Sequence, residues 1–461
     1  MNKENVMGTG SVPGVMIKMA IPVIISMLLQ ACYNIVDSVF VSRMPDTAQI
    51  TGMGEYGVNA LTLAFPLQMI IGAFGIGTGV GVNALVSRSL GEADREKAGK
   101  AAGNGLFAAF IFSLMFVAVG FFVVDIYVRS QTSDPVSISM CSTYLSINMF
   151  VSFGMVFFGI FEKLLQSTGK TVYSTIAQIC GAATNIILDP IMIFGLIGFP
   201  ALGIAGAAWA TVIGQVVSMI VACVLHFKKN KEVPSGLKYL KPEGHIMKGI
   251  FAIALPAIIM QALMSVMSYG INLIFGSVST AAVTAYGIFF KIEQFLLFAL
   301  FGLRDVITPV IAYNYGVGYE KRVRQGIKYG VLFCVIVMTG GTIAFEFFAP
   351  ALVSMFNLSD HSAVLCIRAL RIIGSCLIFV GINMALQGVF QALNSGFSSL
   401  VVSLLRMLVI VLPLAYIFSL MPAAEHLIWL SIPIAEVVSA IVAIILTKRL
   451  IRRTYRKQEN P

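Results

Sequence analysis

The chain has 461 residues, of which 58% are Ala, Val, Ile, Leu, Met, Phe, Trp, Tyr or Cys and only 11% are charged. A soluble domain has roughly 25% charged residues, so this composition excludes a soluble globular protein and indicates an integral membrane protein. The formal net charge is +10, but the basic residues follow membrane topology, which argues against nucleic acid as a partner.

Apolar runs of about 20 residues or more predict twelve membrane-spanning helices. The first run is too long for the core of a signal peptide and is not followed by a small-residue cleavage site, so it is predicted to be a retained helix. The predicted spans 1 to 12 cover approximately 16–42, 58–86, 101–124, 139–165, 173–196, 203–227, 249–275, 283–314, 327–348, 364–392, 399–420 and 427–450.

The basic residues are distributed unevenly between the loops. If the amino terminus lies inside, the inner segments hold 24 of the 31 Lys and Arg residues, and the outer loops hold only Arg43 and Arg129. Because cytoplasmic loops are enriched in Lys and Arg, this pattern predicts a multi-pass protein of the cell membrane with both termini in the cytoplasm. The sequence has no G-x-x-x-x-G-K-[ST] motif and no nucleophile–base constellation. We therefore expect no use of ATP, no cofactor and no enzymatic activity.

The second half of the sequence repeats the first in outline. Val58–Ala60 matches Val283–Ala285 at an offset of 225, and Gln166 matches Gln391 at the same offset. Six spans per repeat is an even number, so the sequence predicts an all-α membrane protein with two six-helix lobes related by a pseudo-twofold axis along the membrane normal. The predicted parts are the first lobe, a basic cytoplasmic linker, and the second lobe with its basic tail: 1–227, 228–248 and 249–461.

Polar residues share one helix face in three spans of the first half. Such faces cannot meet lipid cheaply, so they are expected to converge inside the lobe, either for function or to hold helices together by hydrogen bonds. These stripes are Ser26, Gln30, Asn34 and Asp37 in span 1, Gln178, Asn185 and Asp189 in span 5, and Thr211, Gln215 and Ser218 in span 6.

Asp37 and Asp189 are the most informative members of these stripes. Ionisable residues inside spans usually mark an ion or proton path, and the second half has Ile271 and Leu414 at the matching positions. Two carboxylates in one apolar site do not both ionise freely, so the pair can take up a proton. With the oxygens of Asn185 and Thr211, it can instead coordinate sodium, a small hard cation. The residues alone leave both ions open.

The second half has uncharged polar stripes in spans 7 and 10 and charged residues in span 8. Whether Lys291, Glu293, Arg304 and Asp305 are structural or bind substrate is left open. Uncharged polar stripes together with abundant Met and Phe predict an adaptable cavity for lipophilic ligands. The residues predicted to line the substrate cavity are Gln30, Asn34, Gln178, Gln261, Ser265, Asn272, Glu293, Asn383 and Gln387.

Prolines interrupt several spans, and two of them are predicted to be hinges. Pro22 lies in the same span as Asp37, and Pro190 directly follows Asp189. Because proline removes a helical hydrogen bond, each permits a bend close to a titratable group.

The chain resembles the multidrug and toxic compound extrusion (MATE) antiporters. The likeness extends from Pro22 to the last span and includes Ile35–Val41, Tyr313–Gly316 and Gln166–Gly169. The DinF-like branch has an Asp in span 1, a Tyr in span 4, Asn-x-x-x-Asp in span 5 and a Thr in span 6. The resemblance therefore implies a cation-coupling site of Asp37, Tyr144, Asn185, Asp189 and Thr211.

The second-lobe site of the NorM-like branch looks absent, because Met264 stands at its Glu position in span 7 and span 10 has no acid. The resemblance implies a secondary antiporter that exports lipophilic, mostly cationic compounds in exchange for protons or sodium by alternating access. We expect the protein to act as a monomer in the lipid bilayer. The alternative function is a flippase for lipid-linked saccharide precursors, for which Lys291, Arg304, Arg368, Arg371 and Arg406 could supply cations.

Overall fold

The computed structural model describes residues 5–46, 52–356, 358 and 360–459. In these ranges all regular secondary structure is helical. Ten helices are long and apolar enough to cross a membrane, and two bent helix pairs raise the number to twelve. The prediction of an all-α membrane protein with twelve spans is thereby confirmed.

The helices of the spans extend several residues beyond most of the apolar runs. Spans 1 to 3 and 5 to 9 are Val12–Ser42, Met53–Gly91, Arg95–Phe122, Thr171–Phe194, Ile204–Lys229, Gly244–Val278, Thr280–Val317 and Glu320–Ser354, and spans 11 and 12 are Gly396–Ser419 and Ala424–Tyr455. Shorter helices lie at Val6–Thr9, Val124–Gln131, Leu196–Gly198 and Leu237–Leu240.

Spans 4 and 10 are each broken into two helices. Span 4 consists of Pro135–Phe150 and Phe153–Gln166, which meet at 48°, and span 10 consists of Asp360–Gly374 and Leu377–Ala392, which meet at 53°. The two breaks fall at matching positions of the sequence repeat, within one residue of its offset. Hydropathy could not reveal these bends, because the residues on both sides of each break are apolar.

The described chain forms two compact units. One comprises Ile25–Ile258 and is called the N-unit below; the other comprises the residues up to Ile24 and from Ile259 onward and is called the C-unit. The boundaries therefore lie inside spans 1 and 7, two residues after Pro22 and two residues after Pro256. They differ from the predicted lobe boundaries at 227 and 249, which concern the sequence repeat and stay a prediction.

The start of the chain belongs to the C-unit because span 8 and span 9 bind it. The Asn314 side-chain amide donates to the carbonyl oxygen of Met7 at 3.0 Å, and the Arg322 guanidinium donates to Met7 at 2.9 Å and to Gly10 at 2.7 Å. Further along, a Cβ on Gly302 would lie 3.1 Å from the Ile24 backbone. Loop-based boundaries could not predict this, because these contacts join residues some 300 positions apart in the sequence.

Glycines in span 2 let two neighbouring helices approach closely within the N-unit. A Cβ on Gly75 would lie 3.2 Å from Val156 Cα, and a Cβ on Gly79 would lie 2.7 Å from the carbonyl oxygen of Gly159 in span 4. Gly81 lies on a different face, and a Cβ there would lie 2.5 Å from the Ile250 carbonyl oxygen in span 7. Their alternation therefore serves helix packing on two sides of span 2.

Candidate cation-coupling site

The five residues of the predicted cation-coupling site are all buried in the N-unit. Asp189 is fully buried, and Asp37, Asn185, Thr211 and Tyr144 are each at most 8% exposed. They come from spans 1, 4, 5 and 6, so the polar faces of separate helices do converge. One turn of span 5 separates Asn185 from Asp189, and the Asn185 amide donates to Asp189 Oδ1 at 3.2 Å and to Thr211 Oγ1 at 3.5 Å.

Electrostatic contacts extend the site to spans 1 and 4. Asp37 is close enough to Asp189 and to Tyr144 for direct electrostatic interaction, and Thr211 lies near the Tyr144 hydroxyl. Tyr33, one turn before Asp37, interacts with both carboxylates. The four spans therefore form one connected polar cluster.

Sequence reasoning missed two amides next to this cluster. Gln68 in span 2 donates to Tyr144 Oη at 3.1 Å and to Asn148 Oδ1 at 3.3 Å. Asn148 lies one turn after Tyr144, so the same-face rule that gave the other stripes would have found it. Gln68 stands alone in an apolar span, and its partner is on another helix, so periodicity could not assign it.

Three buried acceptor oxygens in the site have no hydrogen-bond partner among the described residues. They are Asp37 Oδ1, Asn185 Oδ1 and Asp189 Oδ2. A buried acceptor without a partner costs about 1–3 kcal/mol, and more when it is charged. Oxygen atoms are the ligands that hard cations prefer, so the cluster is suited to binding either a proton or a small hard cation.

The other residues predicted to act in the first half are less enclosed. Gln30 and Gln178 are half-buried, and the side chain of Asn34 lies outside the described part of the structure. Pro22 and Pro190 both lie inside helices that continue past them, Val12–Ser42 and Thr171–Phe194. Their role as hinges stays a prediction.

The C-unit contains a different buried cluster, centred on Glu436 in span 12. The Arg406 guanidinium donates to Glu436 Oε1, and the Asn383 amide donates to Glu436 Oε2 at 2.8 Å. Glu293 of span 8 is close enough to interact with both charged groups. The Glu436 carboxylate is therefore held by two partners, and the second half contains buried charge in span 12 as well as in span 8. Arg406 lies in a π-helical segment, Leu405–Val409, of span 11.

A second ionic network in the C-unit joins spans 8, 10 and 11. Arg304 Nη2 lies 3.2 Å from Asp305 Oδ1, and Arg304 Nη1 donates to Gln387 Oε1 at 3.1 Å. Gln387 Nε2 donates in turn to Ser403 Oγ at 2.9 Å. The oxygen and the nitrogen of the Gln387 side-chain amide therefore both form hydrogen bonds with other side chains, as expected of a structural network.

Among the remaining residues predicted for the cavity, Gln261 and Ser265 are half-buried and Asn272 is exposed.

The cations considered for a flippase do not form a pyrophosphate pocket in the described residues. Arg304 is paired with Asp305, and Arg406 is paired with Glu436. Of the others, Lys291 and Arg371 are exposed, and Arg368 lies beside His426 at an exposed position.

Comparison with known proteins identifies a single family over most of the chain. The MatE family model matches residues 22–191 and 256–417. Multidrug export protein MepA of Staphylococcus haemolyticus is 26% identical over 438 residues, which are 95% of this chain and 94% of the relative. MepA of Staphylococcus aureus is 27% identical over 437 residues, 94% of this chain and 92% of the relative. The fold matches the outward-facing conformation of a multidrug resistance MATE family transporter with a TM-score of 0.91 at 24% identity, over 99% of both chains.

Proposed function

Because the chain belongs to the MatE family, we propose that it is a multidrug efflux transporter that exchanges its substrate for a proton or a sodium ion at the Asp37–Asp189 site. Multidrug export is the function named for its relatives, and the twelve membrane-crossing helices fit a transporter. The substrates are small molecules, and we propose that they are lipophilic and mostly cationic.

The three buried oxygens without a partner are the observation that supports ion coupling most directly. Two neighbouring carboxylates in an apolar setting repel each other and lose hydration, so they favour a proton or a bound cation. In this arrangement Asn185 directs its amide hydrogens to Asp189 and Thr211 and leaves its oxygen available as a ligand. Tyr144, held by Gln68, completes the wall beside Asp37.

A cationic substrate and the coupling ion compete for the same negative charge. A bound proton or sodium ion removes the charge that attracts the substrate, so ion entry favours substrate release. This competition is the physical basis of exchange in opposite directions. Bending of span 1 near Pro22 and of span 5 near Pro190 is the movement that we propose to accompany it.

The remaining parts of the proposal concern the setting of the protein. We propose that it acts as a monomer in the cell membrane, and the Lys and Arg distribution supports the placement of both termini in the cytoplasm. The flippase alternative is not favoured, because Arg304 and Arg406 are already paired with the carboxylates of Asp305 and Glu436.

Transport in proteoliposomes tests the proposal. Movement of a lipophilic cation, tetraphenylphosphonium, is measured against an imposed proton gradient without sodium, and against a sodium gradient at equal pH on both sides. We expect at least one gradient to drive concentrative transport in wild type, and neither to drive it in Asp37→Asn or Asp189→Asn.

The matched control is Asp125→Asn, which changes an exposed carboxylate that pairs with Arg129 at 2.8 Å. This variant is expected to transport like wild type. Full concentrative transport by either site variant would show that the carboxylate pair is not the coupling site.

A further inference from the structure

A cavity of about 310 Å³ lies in the N-unit beneath the linker that joins span 6 to span 7. Its walls come from the first turns of span 3, the last turn of span 6 and the linker itself. The lining is mostly apolar and includes Ala102, Leu106, Phe227, Leu237, Tyr239 and Leu240. None of these residues belongs to the proposed cation-coupling site.

Span 3 is shaped to hold the linker at this place. A Cβ on Gly103 would lie 2.0 Å from the carbonyl oxygen of Tyr239, and a Cβ on Gly99 would lie 2.9 Å from that of Pro234. The fully buried Asn104 accepts a hydrogen bond from the backbone N–H of Glu243 at 2.8 Å and donates to the carbonyl oxygen of Lys241 at 3.3 Å. The cavity is therefore a fixed feature of the linker fold.

The residues around the cavity have the pattern of a membrane boundary. Span 3 begins with the charged turn Arg95–Lys100 and becomes apolar from there onward. Beside the cavity, Leu237 is 87% exposed and Phe227 is 55% exposed. Exposed apolar side chains next to charged ones are typical of the boundary between the lipid chains and the headgroups.

The surroundings of the cavity are strongly basic. Glu232 and Glu243, the acids of this segment, are already paired with Lys170 at 2.9 Å and with Lys100 at 3.2 Å. The other lysines between 228 and 248 are exposed and form no ion pair with another described residue: Lys228, Lys229, Lys231, Lys238, Lys241 and Lys248. Lys238 stands between the lining residues Leu237 and Tyr239, and its Nζ lies 4.6 Å from the centre of the Tyr239 ring.

We propose that this cavity binds one acyl chain of an anionic phospholipid from the adjoining leaflet, with the lipid phosphate bound by Lys238 and Lys241. Apolar walls accept the chain, and the unpaired lysines select a negative headgroup. A lipophilic cation would meet the same lysines and be repelled, so the ligand here differs in charge from the proposed transport substrate. A lipid in this place contacts the linker, span 3 and span 6 together and fixes the linker against the N-unit.

Native mass spectrometry of the purified full-length protein tests this site. The protein is titrated with dioleoyl phosphatidylglycerol, with dioleoyl phosphatidylcholine and with inorganic phosphate. We expect one phosphatidylglycerol per chain, with a Kd about thirtyfold below that of phosphatidylcholine, because two lysines attract the net negative charge of the phosphatidylglycerol headgroup. Inorganic phosphate is expected not to displace the lipid.

Two kinds of variant separate the headgroup from the chain. Lys238→Gln/Lys241→Gln should remove the preference for phosphatidylglycerol, whereas Lys321→Gln/Lys328→Gln, at exposed lysines of the C-unit, should retain it. Ala102→Phe fills the cavity and should abolish the single-site binding of phosphatidylglycerol and of phosphatidylcholine. Leu237→Gln, at an exposed position that does not endanger folding, should weaken both.

Several results would overturn the proposal. These are equal binding of the two lipids by wild type, displacement of the lipid by inorganic phosphate, unchanged binding in both Ala102→Phe and Leu237→Gln, or an equal loss in the C-unit lysine pair.

Discussion

Two pairs of buried carboxylates, one pair in each unit, are held in opposite ways. In the N-unit, Asp37 and Asp189 have no Lys or Arg partner among the described residues, and each has one oxygen without a hydrogen-bond partner. In the C-unit, Asp305 and Glu436 are each paired with a guanidinium of the same unit. A guanidinium fixed in the protein neutralises a carboxylate permanently, whereas a proton or a sodium ion does so reversibly. Only the reversible arrangement can couple transport to an ion gradient.

The sequence repeat makes this contrast sharper. At the offset of 225, Gln68 of the N-unit matches Glu293 of the C-unit. In the register that matches Val216 with Val437, Gln215 matches Glu436. Glu293 and Glu436 of the second half therefore stand where the first half has neutral glutamines, whereas Asp305 stands where it has Val80.

The largest expected effect is on transport. Asp37→Asn and Asp189→Asn remove titration from the N-unit while preserving side-chain shape, so gradient-driven efflux should fall to background. Thermal stability in detergent should be maintained, because a buried charge without a cationic partner is replaced by a neutral group. A variant that loses both folding and transport would mean that the carboxylates are structural and that the two units do not differ as described.

The next effect is on stability and concerns the C-unit. Arg406→Met leaves Glu436 buried without its cation, which should cost about 3–5 kcal/mol of the free energy of unfolding. Arg406→Met/Glu436→Leu should recover most of this loss, because replacing both charges avoids the unpaired carboxylate. Thermal unfolding of the single and double variants measures the difference. If the double variant were as unstable as the single one, the pair would not be the source of the loss.

A smaller effect is expected at the edge of the N-unit site. Gln68→Leu removes the donor to Tyr144 Oη and to Asn148 Oδ1. The loss of a hydrogen bond is worth about 1 kcal/mol, which is about fivefold in the ion concentration for half-maximal transport. Gln131→Leu, at an exposed position, is the matched control and should have no effect. An unchanged ion dependence in Gln68→Leu would exclude Gln68 from the site.

The smallest effect is expected for a carboxylate paired with cations at the surface. Partial burial raises the pKa of Glu92, but hydrogen bonds from Lys97 and Arg88 outweigh this and lower it overall. The folded pKa therefore lies below the unfolded one, so the stabilisation is present above the unfolded pKa and is lost as the pH falls through the folded value. Solvent screening limits it to less than about 1 kcal/mol. Glu92→Gln should thus change the pH dependence of thermal unfolding only slightly, and only on the acid side.

The sequence predicted the features that one helix can reveal by itself. Apolar length gave the twelve spans, and the spacing of Asn185 and Asp189 gave a shared face. It could not predict features that depend on two helices. Examples are the pairing of Arg406 with Glu436, the support of Tyr144 by Gln68, and the unit boundaries inside spans 1 and 7.

Glu162 illustrates the same limit in the N-unit. Its position near the end of span 4 predicts an interfacial side chain, but it is only 7% exposed. It accepts a hydrogen bond from Gln166 Nε2 at 3.1 Å and lies 3.7 Å from Nζ of the equally enclosed Lys163. A bend in the middle of span 4 places this end of the helix inside the protein, and the bend itself is not visible in the sequence.

The placement of residues 5–24 in the C-unit has a consequence for biosynthesis. The N-unit is complete once Ile258 has left the ribosome, because its last residues come from the beginning of span 7. Within residues 5–24, Met7 and Gly10 are bound by Asn314 and Arg322, some 300 residues later in the chain. Contacts of such high sequence separation form late in folding. Residues 5–24 are therefore translated before the N-unit but reach their final place after it.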